Sequence, residues 1–212
     1  MRRAHPHPGP LARGERGTGF IFVAMLLASS AHAESGWLTA RGRLQPEVRV
    51  EAWGGTDSVG AGFVRPDERG ALAGLSAELG YAFRNRTVEL RGARVWQFSP
   101  SRFGTGSATL GAAMHLVPEG VFDVGLGPHA GLNLALGGDV FTVDLGLQTG
   151  VELFLANALP RFPQRLQLSL NLRVRSFAVG LHARVGADII PSRGFVGRGE
   201  LAISVSWFGF GA

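Results

Sequence analysis

Residues 121–136 read VFDVGLGPHAGLNLAL. Phe122, Val124, Leu126, Ala130, Leu132, Leu134 and Leu136 fall on one parity, and Asp123, Gly125, Gly127, His129, Gly131 and Asn133 on the other. Successive side chains of a strand point to opposite faces, so a two-residue period predicts one long ribbon with an oily face and a small, polar face.

The pattern recurs along the chain. Alternations fall at about 44–53, 70–83, 87–98, 106–117, 140–155, 164–175, 177–190 and 198–210, and no segment has the period of an amphipathic helix. In 164–175, Leu166, Leu168, Leu170, Leu172 and Val174 oppose Arg165, Gln167, Ser169, Asn171, Arg173 and Arg175. The apolar parity then flips between Val174 and Phe177, as a two-residue turn at Arg175-Ser176 requires. Turn signals at 84–86, 118–120, 137–139, Pro160 to Pro163 and Pro191 to Gly194 mark the other connections, and Gly54 to Gly70 reads as the longest loop. Links this short predict antiparallel hairpins.

Residues 1–33 have the order of a secretory leader: Arg2, Arg3, Arg13 and Arg16, then the apolar run FIFVAMLL at 20–27, then Ala31-His32-Ala33. The run is shorter than the roughly 20 residues of a spanning helix. Cleavage is expected before Glu34, leaving 34–212 as one domain, with 34–69 either an N-terminal extension or additional strands. The formal net charge is +5, but four arginines and Glu15 lie in the leader, so the mature part carries only +2. All its basic residues are arginines scattered without runs, which gives no nucleic-acid footprint. There is no cysteine, so disulfides, thiolate metal sites and a lipid-anchored N-terminal cysteine are excluded.

Alternation fits a soluble barrel as well as a membrane barrel. Three features favour the membrane. The strands run to 12–16 residues, beyond the about 5–6 of ordinary strands and the about 9–11 that span an outer membrane. The polar parity is rich in Gly, Ala and Ser, which suits a crowded lumen. Trp53, Phe83, Trp96, Phe98, Phe122, Phe141, Phe177 and Trp207 sit near strand ends, where aromatic girdles belong. With the leader and the last strand LAISVSWFGF at 201–210, the chain resembles the small outer-membrane barrels of the OmpA, OmpX and OmpW kind. The resemblance covers 34–212 and implies an all-β, antiparallel up-and-down transmembrane β-barrel. It also implies that Trp207 and Phe210 carry the C-terminal signal for the barrel-assembly machinery, although Gly211-Ala212 follow. Eight strands between 70 and 210 are favoured, with ten as the alternative if 44–53 and Trp37 to Leu44 both contribute.

The lumen-facing polar set is then Arg49, Glu51, Glu78, Glu89, Arg91, His115, Asp123, His129, Asp144, Glu152, Arg165, Arg173, Arg175, His182, Arg184, Asp188 and Glu200. Charges of both signs in a narrow barrel are expected to pair and plug it, because a lone charge there is costly. A narrow pore for small solutes or ions, drawing on the arginines of 164–190, is the alternative, and a periplasmic ligand-binding barrel or sandwich is a third. Arg94 falls on the apolar parity, so a bulge near Gly92 or a place by the headgroups is expected. Enzymatic signatures are missing. His182 is followed two residues later by Arg184 where a deacylase has Ser, and Asp123 and His129 stand about 20 Å apart on one strand. The three mature histidines lack metal-ligand spacing, so no cofactor is expected. The expected role is a non-enzymatic outer-membrane component, in contact with lipid and with other envelope proteins.

Overall fold

The computed structural model describes residues 47–67, 72–84, 86–98, 104–117, 123–138, 140–156, 159–191 and 194–209. The leader, Trp37 to Leu44, Phe122 and Phe210 lie outside them. Ten antiparallel strands follow in sequence: β1 (Arg49–Gly55), β2 (Ser58–Pro66), β3 (Ala73–Ala82), β4 (Thr87–Phe98) and β5 (Gly104–Val117). Then come β6 (Asp123–Gly137), β7 in two stretches (Phe141–Gly150 and Glu152–Phe154), β8 (Leu159–Val174), β9 (Phe177–Ile190) and β10 (Gly194–Phe208). Each strand pairs with the next. β10 returns to β1 from Arg49–Phe208 to Gly55–Ala202, closing the sheet on itself. No helix occurs among the described residues.

The count is ten, not the favoured eight, and the tenth strand comes from a stretch read as loop. Within Gly54 to Gly70, Val59, Ala61 and Phe63 alternate with Ser58, Gly60 and Gly62. Glycine on the inner face hides the pattern, and the barrel needs it: a Cβ on Gly60 would lie 2.3 Å from the Trp53 ring. Trp53 points into the lumen, 3% exposed, and so leaves the girdle to which it was assigned. Pro160 to Pro163 likewise form no turn but lie in β8, with Pro160 opposite Leu153 and Pro163 opposite Asp188. The two-residue hairpin at Arg175-Ser176 is present, with Val174 opposite Phe177 and Arg175 at a φ of 56°. Arg175 is therefore on the exposed rim and not in the lumen.

Following register partners from Arg49 through Val64, Ser76, Ala93, Gly111 and His129, then on through β7, Pro163 and Asp188, leads to Val196. Val196 lies six residues beyond the Gly55–Ala202 pair, so one circuit climbs twelve residues. For ten strands this shear sets a tilt of about 40° and a backbone radius of about 10 Å. Such a barrel is wide enough for two layers of side chains to meet at its axis. The wall is uneven, with 7 residues in β1 and 9 in β2 against 16 in β8 and 15 in β10.

The faces are sorted opposite to those of a soluble barrel. Leu166, Leu168, Leu170 and Leu172 are 41–52% exposed on the outside, while Ser169 between them is fully buried. Trp96, Phe98, Phe141, Phe177 and Trp207 gather outside at the end where β1 starts and β10 finishes. Arg94 faces outward without a bulge, since β3 and β4 stay in register through Leu75–Arg94 and Ala77–Gly92. It sits four residues from the end of β4 and donates through Nη1 to Asp67 Oδ1 at 2.9 Å, with a second, parallel contact from Nη2 to Oδ2.

Candidate functional site

The inward parity of each strand delivers the polar residues, and glycine decides which of them can meet. β6 presents Gly125, Gly127 and Gly131 to the lumen, so side chains on β5 and β7 reach one another across it. His115 Nε2 of β5 lies 3.0 Å from Glu152 Oε1 of β7, and 3.9 Å from Glu89 of β4. Glu89 pairs with Arg91, which stands opposite Glu78 in the β3–β4 register and donates to Gln148 Oε1 of β7 at 2.8 Å. A small cavity beside them is lined by Glu78, Arg91, His129, Asn133, Gln148 and the bare backbone of Gly131.

The chain of contacts continues around the wall. Arg161 of β8 donates Nε–H to Glu152 Oε2 at 2.8 Å and lies over the Phe154 ring at 4.8 Å. Asp188 of β9 is fully buried and collects three guanidiniums: Arg165 Nη2 at 2.6 Å, Arg161 Nη1 at 3.5 Å, and Arg198. Arg165 also donates to the carbonyls of Ala187 and Gln164, both at 3.0 Å. Arg184 pairs with Glu200, whose Oε1 accepts from Ser58 Oγ at 2.6 Å across Gly55 of β1.

These groups occupy the strand ends away from the start of β1 and the finish of β10. Glu152 and Arg161 flank the β7–β8 connection, Asp188 is two residues from the end of β9, and Glu89 and His115 are two residues from the ends of β4 and β5. The other half of the lumen, lined mainly by neutral groups such as the buried Thr105, Ser107, Ser169, Ser204 and Ser206, also holds the buried carboxylates of Glu51 and Asp144. A buried charge without a partner costs several kcal/mol, so the pairing makes this filling tenable.

Of the predicted set, Glu78, Glu89, Arg91, His115, His129, Glu152, Arg165, Arg184, Asp188 and Glu200 come together in the charged half. Arg49 and Glu51 lie 3.8 Å apart at the opposite end, Arg175 is on the exposed rim, and four do other work. Asp123 caps the end of β7 by accepting the Ala156 N–H at 2.8 Å. Asp144 accepts from Asn171 in the neutral half. Arg173 stands at the mouth by the termini, over the Phe208 ring at 4.2 Å and 3.7 Å from Glu47. His182 Nε2 meets Ser204 Oγ at 2.8 Å, and both residues are buried. Arg161 and Arg198 were not anticipated: the first lay in a supposed turn, the second at the start of an assumed strand. The inward parity of β8 and β10, extended by two to four residues, finds both. Trp207 is on the outer face, its ring 4.9 Å from Phe177. No protein-family model and no curated protein matches the chain.

Proposed function

We propose that the chain is a non-enzymatic outer-membrane β-barrel, exported by a cleaved leader and held in lipid by its outer face, that serves as a structural or anchoring component of an envelope assembly. The inverted burial carries this reading: leucines and valines cover the outside while paired charges fill the inside. An exposed apolar belt around a whole barrel far exceeds the few hundred Å² that soluble monomers expose. The likeness to small outer-membrane barrels supports the same location and makes lipid, the assembly machinery and neighbouring envelope proteins its partners. Against the pore alternative, Arg165 and Arg184 are each paired with a carboxylate, Asp188 and Glu200 respectively.

Cysteine scanning over 166–174 tests the location. Leu168, Leu170 and Leu172 should react with lipid-soluble probes and Ser169 with none; equal labelling of both parities by water-soluble reagents would refute it. Planar bilayers test the role. The purified protein should be nearly silent, and long stepwise openings with anion preference would promote the channel instead.

A further inference from the structure

We propose, resting on the membrane reading above, that Arg65 and Arg94 form an outward-facing seat for the phosphate of an anionic phospholipid, with the dent over Ala77 and Gly92 taking one of its acyl chains. Among the described strand residues, the outward parity carries only two charged side chains, and they are these two arginines. The register sets them on one level: Arg65 is opposite Leu75, and Leu75 is opposite Arg94. They therefore flank a single leucine on the strand between them. Two strand spacings put their backbones about 10 Å apart. From there both guanidinium forks can turn toward one phosphate, whose oxygens they match in geometry and charge.

The two arginines are held differently. Arg94 is pinned by Asp67, just past the end of β2, which cancels one of the two positive charges. Arg65 is exposed, and its side chain makes no hydrogen bond or ion pair among the described residues. One positive charge is thus left over, matching the single negative charge of a phosphodiester. A lone cation on a lipid-facing parity is costly at the bilayer centre and tolerated at the headgroups. Arg65 lies one residue from the end of β2, and Trp96 and Phe98 of the outer aromatic cluster follow Arg94 on the same face of β4. One step toward the middle of the wall, Ala77 stands between Phe63 and Gly92 in the register. Nothing inside the barrel calls for that glycine, since a Cβ built on it would meet no atom within 4 Å. Its absence leaves the outer surface dented beside Arg94, and a glycine in a strand often marks where a ligand comes close. Cation and dent together fit a headgroup with its chain.

Native mass spectrometry of the purified protein, folded in a neutral detergent, tests this. With dioleoylphosphatidylglycerol and dioleoylphosphatidylcholine added in equal amounts, the wild type should retain the anionic lipid about fivefold more, the factor one arginine near an anionic headgroup supplies. Arg65→Gln should abolish the preference, and Arg175→Gln, at the exposed turn between β8 and β9, should keep it. Gly92→Leu should lower retention of the anionic lipid by filling the dent. The heat-dependent gel shift first shows that each variant forms a closed barrel. Equal retention of the two lipids by the wild type, a preference that survives Arg65→Gln, or unchanged retention in Gly92→Leu would overturn the proposal. So would displacement of the lipid by inorganic phosphate at an equal concentration, the mark of a site for the ion alone. A chain that stays dispersed without detergent would overturn the membrane reading itself, and that result is seen before any lipid is added.

Discussion

Asp188→Asn isolates what the charge network contributes. The carboxylate has no exposure and faces Arg165 at 2.6 Å, Arg161 at 3.5 Å and Arg198. At an effective dielectric of about 20, a unit pair about 3 Å apart attracts by roughly 5 kcal/mol before desolvation is subtracted. Removing one partner of a buried pair costs about 3–5 kcal/mol. Asparagine keeps the shape and one accepting oxygen, but leaves three guanidiniums crowded around a neutral group. The expected loss is therefore about 3 kcal/mol, the low end of that range. Urea unfolding in detergent micelles, followed by tryptophan fluorescence and by the heat-dependent gel shift of closed barrels, measures it. Adding Arg198→Gln should recover about 1 kcal/mol or more, since the surplus charge is then smaller and the two sites are coupled. A single variant within about 0.5 kcal/mol of wild type, or a double variant whose losses simply add, would show that Asp188 is not the hub its contacts describe.

Gly60→Ala should cost about 1–3 kcal/mol, because its Cβ would strike the Trp53 ring and, at 2.6 Å, the Leu79 carbonyl; the same unfolding assay reads it. Arg175→Gly should stabilise by about 1 kcal/mol, since a φ of 56° is strained for arginine and free for glycine. The carbonyl that accepts from Arg173 Nε at 3.0 Å is kept, so an unchanged midpoint would count against the strain. N-terminal sequencing of protein extracted from membranes should begin at Glu34, and an intact apolar run at 20–27 would refute cleavage there.

Strands whose inner face carries real side chains could be read directly from the sequence. β8 and β9 alternate leucine or valine with arginine, histidine and serine, and their pairing follows from the parity flip at Arg175-Ser176. Reading failed where the lumen demanded glycine or tolerated proline. β2 looked like a loop because Trp53 on its neighbour takes the space that inner side chains would have used. Pro160 and Pro163 looked like a turn because a proline in a strand interior is rare, and the ladder of β7 breaks only at Val151, opposite Pro128 and beside the level of Pro163. Membership of the charged cluster depended on the shear, which brings Arg161, Arg165 and Arg198 to one carboxylate from two other strands. No local pattern encodes that convergence.

The uneven wall has a consequence for any bilayer around it. At about 2.5 Å of height per tilted residue, the 7 residues of β1 reach about 18 Å and the 16 of β8 about 40 Å. An outer-membrane apolar band is about 25 Å tall, so one flank falls short of it and the other overshoots. Lipid can meet both only if the cylinder leans, or if the acyl chains shorten beside β1 and β2. In a bilayer either response would set a preferred direction in the membrane plane, one that turns with the low side of the barrel.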